Sequence, residues 1–208
     1  FLARNTIGSS LLRYSADGVL LGTTDLDVYI EYNAFAVDEE GNAVFGGGHD
    51  NHFNITKMLP TGAVLWSFDL DYPIPSASSY ISYITCDGNG NIYAAGSAGS
   101  LQYGLLTKIS PSGIQLWSDT TEAYYPTPSY FARHRGRMLL HGDRLTLATL
   151  YTAAHLYEYY TLGNRLSRQA LDVDGNTGPR VNALRKDDEG DLYITGFLPS
   201  GQSQVGFL

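Results

Sequence analysis

The residues best equipped for chemistry stand in short, separate groups. Gly48-His49-Asp50-Asn51-His52 places two imidazoles around one carboxylate, residue types that bind transition metals. A metal site needs three or four ligands, and no other histidine can be placed beside these two from sequence. The run therefore reads first as a polar loop, and His49, Asp50 and His52 are candidate ligand contacts. Asp172-Val-Asp174-Gly-Asn176 alternates oxygen donors as the opening of a calcium loop does. Thr177 then stands where such a loop needs glycine, and Ala183 where it needs glutamate. Calcium is the ion that Asp172, Asp174 and Asn176 would suit. The third group is tyrosine: Tyr29 and Tyr32, then Tyr72 and Tyr80, then Tyr124, Tyr125 and Tyr130. Each offers an apolar ring with a polar tip, suited to sugars and peptides or to filling gaps between sheets.

Catalytic patterns are missing. The chain has no G-x-S-x-G, no H-E-x-x-H, no phosphate loop and no strand-linked G-x-G-x-x-G. No organic cofactor is expected. Carboxylates are plentiful enough for a glycosidase pair, but no two are singled out.

The elements that position these groups come from a repeat. Asp38-Glu-Glu-Gly-Asn-Ala-Val-Phe-Gly46 returns as Asp87-Gly-Asn-Gly-Asn-Ile-Tyr-Ala-Ala-Gly96 and as Asp188-Glu-Gly-Asp-Leu-Tyr-Ile-Thr-Gly196. A degraded copy, HGDRLTLATL, turns at Gly142-Asp143. A second pattern is offset from the first. LLRYSADGVLLGTTDL, ITKMLPTGAVLWSFDL, LLTKISPSGIQLWSDT and LYEYYTLGNRLSRQAL turn at Gly18, Gly62, Gly113 and Gly163, spaced 44, 51 and 50 residues apart. Two interleaved hairpins at one period make a four-stranded unit, here lettered A to D in chain order. Such a unit cannot bury both faces alone, and stacking around an axis covers them. The fold class predicted is all-β, a propeller of four-stranded antiparallel blades of about fifty residues each. Small residues late in strand B (Gly46, Ala94, Ala95, Gly96) fit close sheet contact. Trp66 and Trp117 occupy one place in strand D and read as repeat packing residues, not ligand platforms. The lone Cys86 reads as a buried, inert thiol.

These blades resemble bacterial β-propeller repeats that read D-x-x-G-N-x-Y-x-x-G, then L-x-K-x-x-x-x-G, then Trp, of the SBBP-like, delta-60-like and pyrroloquinoline-quinone-like kinds. The resemblance spans nearly the whole chain. It implies blade architecture, and it occurs in lectin-like, scaffold and enzyme settings alike. The fourth unit departs most, with Arg168 near the place of the Trp.

The expected units are a partial blade over 1–27, blades over 28–71, 72–122 and 123–174, and a partial blade over 175–208, all within one propeller. That inventory totals eighteen strands, with B and C duplicated at the ends. It favours a stretch of a larger propeller, with further blades or domains of a longer chain as neighbours.

A net charge of −8 argues against a nucleic-acid partner, because an acidic chain repels phosphate. The basic strip Arg133-His134-Arg135 with Arg137 is short. No apolar run is long enough for a membrane helix. The A–B and C–D turns are short and repetitive, whereas the D–A and B–C loops vary, so binding is expected on the latter. The leading expectation is a non-enzymatic binding or scaffold module for a glycan or protein ligand, outside a bacterial cell, on its surface or in the periplasm. The alternatives are a propeller enzyme (polysaccharide hydrolase or lyase, or quinone-dependent dehydrogenase) and a structural repeat of a large surface or filament protein.

Overall fold

The computed structural model describes residues 2–4, 9–26, 29–49, 52–70, 80–98, 103–120, 137–150, 154–172, 175, 180–200 and 203–207. Among these the chain forms eighteen strands and no helix. They fall into five antiparallel sheets, each a simple meander. The first sheet is β1 (Leu2–Arg4), β2 (Ser9–Tyr14) and β3 (Leu20–Leu26). The second is β4 (Tyr29–Val37), β5 (Ala43–His49), β6 (His52–Met58) and β7 (Val64–Leu70). The third is β8 (Tyr80–Cys86), β9 (Ile92–Ala98), β10 (Tyr103–Ile109) and β11 (Gln115–Thr120). The fourth is β12 (Arg137–His141), β13 (Arg144–Leu150), β14 (Ala154–Tyr160) and β15 (Arg165–Ala170). The fifth is β16 (Arg180–Lys186), β17 (Leu192–Ser200) and β18 (Ser203–Phe207).

Successive sheets pack face to face, and each hydrophobic cluster belongs to two neighbours. Leu26 of the first sheet meets Ala43, Phe45 and Met58 of the second. Val44, Phe53 and Ile55 meet Ile81, Ile92 and Leu105. Tyr93 and Leu106 meet Leu145, Leu147 and Tyr159. Ala148 meets Val181 and Leu184. Among the described residues every hydrophobic cluster is shared by two sheets, so stability lies between neighbours as in a stacked array. The A strands are innermost: β8 lies beside β4 and β12, and β12 beside β16. Contact is close where B meets the next A. A Cβ on Gly46 would come within 2.7 Å of the buried Ile81 side chain. Cys86 is half-buried at the edge of the second cluster, and burial pushes its thiol up to about 11.

Candidate functional site

The A–B and C–D turns lie together at one end of the blades. In the A–B turn of the second sheet, Asp38 Oδ1 accepts the Glu40 and Asn42 backbone amides at 3.0 and 2.8 Å, and its Oδ2 accepts the Asn42 side-chain amide at 3.0 Å. Lys57 Nζ then reaches Asp38 Oδ2 at 2.8 Å, with side chains only 4% and 2% exposed. Burial works to raise the Asp38 pKa, but the hydrogen bonds from Lys57 and Asn42 win and leave it lowered. Asp87 repeats the arrangement: it accepts the Asn89 and Asn91 amides at 3.0 and 2.9 Å and the Tyr93 hydroxyl at 3.0 Å. Its pKa is likewise lowered, as the bonds from Asn91 and Tyr93 overcome burial. Asp187 accepts the Asp191 amide at 2.8 Å in the fifth sheet. These carboxylates close their own turns by local side-chain capture of backbone amides.

The C–D turns join one blade to the next. Gly62 N donates to Leu59 O at 2.9 Å, Leu59 N to Ala63 O at 2.8 Å, and the β6–β7 register shifts at Lys57/Met58. That is a tight turn whose last residue needs positive φ, followed by a bulge. Trp66 Nε1 donates to Pro111 O of the next blade at 2.9 Å, and Trp117 Nε1 to Thr161 O at 3.1 Å. Gly113 (φ +86°) sits under the Trp66 ring, and Gly163 under Trp117. The two tryptophans therefore join blades.

The opposite end carries the D–A and B–C connections. The D–A connections span residues 27–28, 71–79, 121–136 and 171–179, from two to sixteen residues. Tyr29 and Tyr32 lie in β4, and Tyr80 opens β8, at the D–A end of their blades. Tyr72, Tyr124, Tyr125 and Tyr130 lie outside the described residues, as do Asp50, Asp174 and Asn176. His49 and His52 are Cα partners at the end of the β5–β6 hairpin, on either side of Asp50-Asn51. Asp172 is exposed, and its Oδ1 accepts the Gly175 amide at 2.7 Å. Among the described residues no group of three or more His, Cys, Asp or Glu side chains comes together.

Asp25, Asp69 and Asp119 of the D strands have partners on neighbouring strands or blades. Ser10 Oγ donates to Asp25 at 2.8 Å, Asn54 Nδ2 to Asp69 at 2.7 Å, and Arg165 Nη2 to Asp119 at 2.6 Å. Two of these bonds link strand C to strand D, and the third links two blades. Asn54 begins a glycosylation sequon, yet it is buried and its amide is committed to Ser67 and Asp69.

Arg137 is the residue that sequence reasoning undervalued. It opens β12 directly after the 121–136 connection. Its Nη1 donates to Tyr83 Oη at 2.6 Å, its Nε to Asn182 O, and the guanidinium lies 5.6 Å from the Tyr83 ring centre. It thus ties the inner strands β8, β12 and β16 together at the D–A end. The available signal was its place just ahead of the degraded copy HGDRLTLATL, where strand A of that blade must run.

No protein-family model and no curated protein matches the chain. Solved structures do. A protein of unknown function from Bacteroides caccae aligns with TM-score 0.58 and 13% identity, covering 95% of this chain and 70% of that one. A protein from Lactobacillus plantarum aligns with TM-score 0.59 and 16% identity, covering 100% and 66%. A catalytically inactive virginiamycin B lyase from Staphylococcus aureus, crystallised with quinupristin, aligns with TM-score 0.59 and 14% identity, covering 99% and 68%. At such identities the likeness speaks to fold alone. With the five stacked meanders it defines the class: the chain is a β-propeller of four-stranded antiparallel blades. The resemblance to bacterial blade repeats holds at the level of blade architecture.

Proposed function

We propose that this propeller is a non-enzymatic binding or scaffold module that holds a glycan or protein ligand on its D–A and B–C loop face, outside a bacterial cell, on its surface or in the periplasm. The observation that carries this reading is the contrast in connection length on a constant frame. The A–B turns of the second, third and fifth sheets cover residues 38–42, 87–91 and 187–191, all of one length, and close on their own hydrogen bonds. The D–A connections run from two to sixteen residues, and with the strand starts after them they carry Tyr72, Tyr80, Tyr124, Tyr125 and Tyr130. Variable, tyrosine-rich segments on a rigid support are how binding surfaces are built. Arg137 fixes the end of the longest connection to the inner strands, so that connection returns to the frame beside the axis.

The test is a combined glycan and peptide array probed with the wild type and with Tyr124→Ala/Tyr125→Ala/Tyr130→Ala. Loss of the bound features in the variant supports the reading. Unchanged binding sinks the tyrosine face.

A further inference from the structure

The D strands carry a pattern that the loop face does not use. Three residues after the glycine of every C–D turn stands a leucine: Leu21, Leu65, Leu116 and Leu166. Their exposures are 53%, 47%, 51% and 38%. Trp66 and Trp117, one residue further on, turn toward the next blade, so Leu65 and Leu116 take the other side of their strands. Strand propensity does not require leucine there, since Thr23 and Ser67, two residues on and on the same side, are exposed polar residues. Val19, Leu20, Val64, Ile114 and Leu162 extend the apolar surface at the same turns, with exposures of 50% or more.

The turns that carry these leucines abut from blade to blade. Thr24 lies against Gly62, the Trp66 ring against Gly113, and the Trp117 ring against Gly163. Four C–D turns are therefore joined in one rim. An apolar surface of this kind, repeated at every blade and bordered by charge, marks an interaction site.

The border is acidic. Asp17, Glu39, Glu40, Asp188 and Glu189 are exposed on the turns of this end, and Asp143 is exposed beside Arg144 at 3.5 Å. The bases near them are already committed: Lys57 to Asp38, Lys108 to the Thr161 carbonyl at 3.0 Å, Arg13 to the Pro60 carbonyl at 2.8 Å, and Arg144 to Asp143. A second copy of the chain would set acid against acid, whereas a basic partner would find complementary charge.

We infer that the rim of Leu21, Leu65, Leu116 and Leu166 docks a cationic polypeptide segment whose aliphatic side chains lie on the leucines and whose basic groups meet the turn carboxylates. This surface lies at the opposite end of the blades from the loop face, so the two readings stand or fall separately.

The probe is a labelled synthetic Leu/Lys amphipathic peptide, with a Leu/Glu peptide of the same pattern as control, followed by fluorescence anisotropy. The wild type should bind the first and not the second. Leu65→Ser/Leu116→Ser should weaken binding at least tenfold, on the scale of losing a central contact (roughly tenfold per 1.4 kcal/mol). Leu21→Ser alone, on the preceding blade, should weaken it about threefold, which keeps the test alive if the double variant does not fold. Glu39→Gln/Glu40→Gln should weaken it about threefold and flatten its salt dependence. Tyr124→Ala/Tyr125→Ala/Tyr130→Ala should leave it unchanged. Equal binding of both peptides, or full affinity in the leucine variants, overturns the inference. So does concentration-dependent self-association abolished by the leucine substitutions, which would assign the rim to a second copy.

Discussion

At the A–B and C–D end of the blades, short turns of two to five residues close on themselves. Asp38, Asp87 and Asp187 cap their own backbone amides, and Trp66 and Trp117 clasp the next blade's C–D turn. At the other end the D–A connections vary in length from two to sixteen residues, and the tyrosines gather there and at the strand starts. The contrast separates two kinds of recurrence. A residue that recurs with its hydrogen-bond partner, like Asp87 with Asn91, belongs to the frame. A residue type that recurs in the sequence without a fixed register, like the tyrosines, is where the proposed ligand face is sought.

Breaking the frame end should cost stability first. Lys57→Met removes the cation that compensates the buried Asp38 carboxylate. An uncompensated buried charge costs about 3–5 kcal/mol. Urea denaturation should show that loss. Gly113→Ala should cost about 2–3 kcal/mol, because it strains a positive φ and sets a methyl 2.9 Å from the Trp66 ring. Thermal unfolding followed by tryptophan fluorescence reports it directly. The pH dependence sharpens the same point. The folded pKa values of Asp38 and Asp87 are lowered. Their contribution is therefore fully present above the unfolded value of about 4 and is lost as pH falls through the folded values. A urea midpoint that stays level down to about pH 5 and declines below about pH 4 is the expected result. At the loop end, Tyr124→Ala/Tyr125→Ala/Tyr130→Ala should change stability by less than about 0.5 kcal/mol by the same urea assay.

The fold was legible because its signals are local. The turn glycines Gly41, Gly62, Gly90, Gly113 and Gly190 all take positive φ, and each marks a hairpin that the repeat had already placed. The small residues of strand B were legible for a steric reason, as Gly46 against Ile81 shows. The site was less legible. The histidine run became the mouth of a hairpin, with His49 and His52 as backbone partners, which sequence spacing alone could not distinguish from a loose loop. Asp25 and Asp69 of strand D bond across to the neighbouring strand, an outcome set by pairing register. Arg137 reads in sequence only as part of a short basic strip, because its partners, Tyr83 and Asn182, are 54 and 45 residues away and meet only around the axis.

The most direct test of the loop-face account sets the two ends against each other on one ligand. A glycan or peptide feature that the wild type binds on the array should be measured, by surface-immobilised titration, against Tyr124→Ala/Tyr125→Ala/Tyr130→Ala and against Leu65→Ser/Leu116→Ser. The account predicts an affinity loss of at least about tenfold in the tyrosine variant and wild-type affinity in the leucine variant. Wild-type affinity in the tyrosine variant would contradict it.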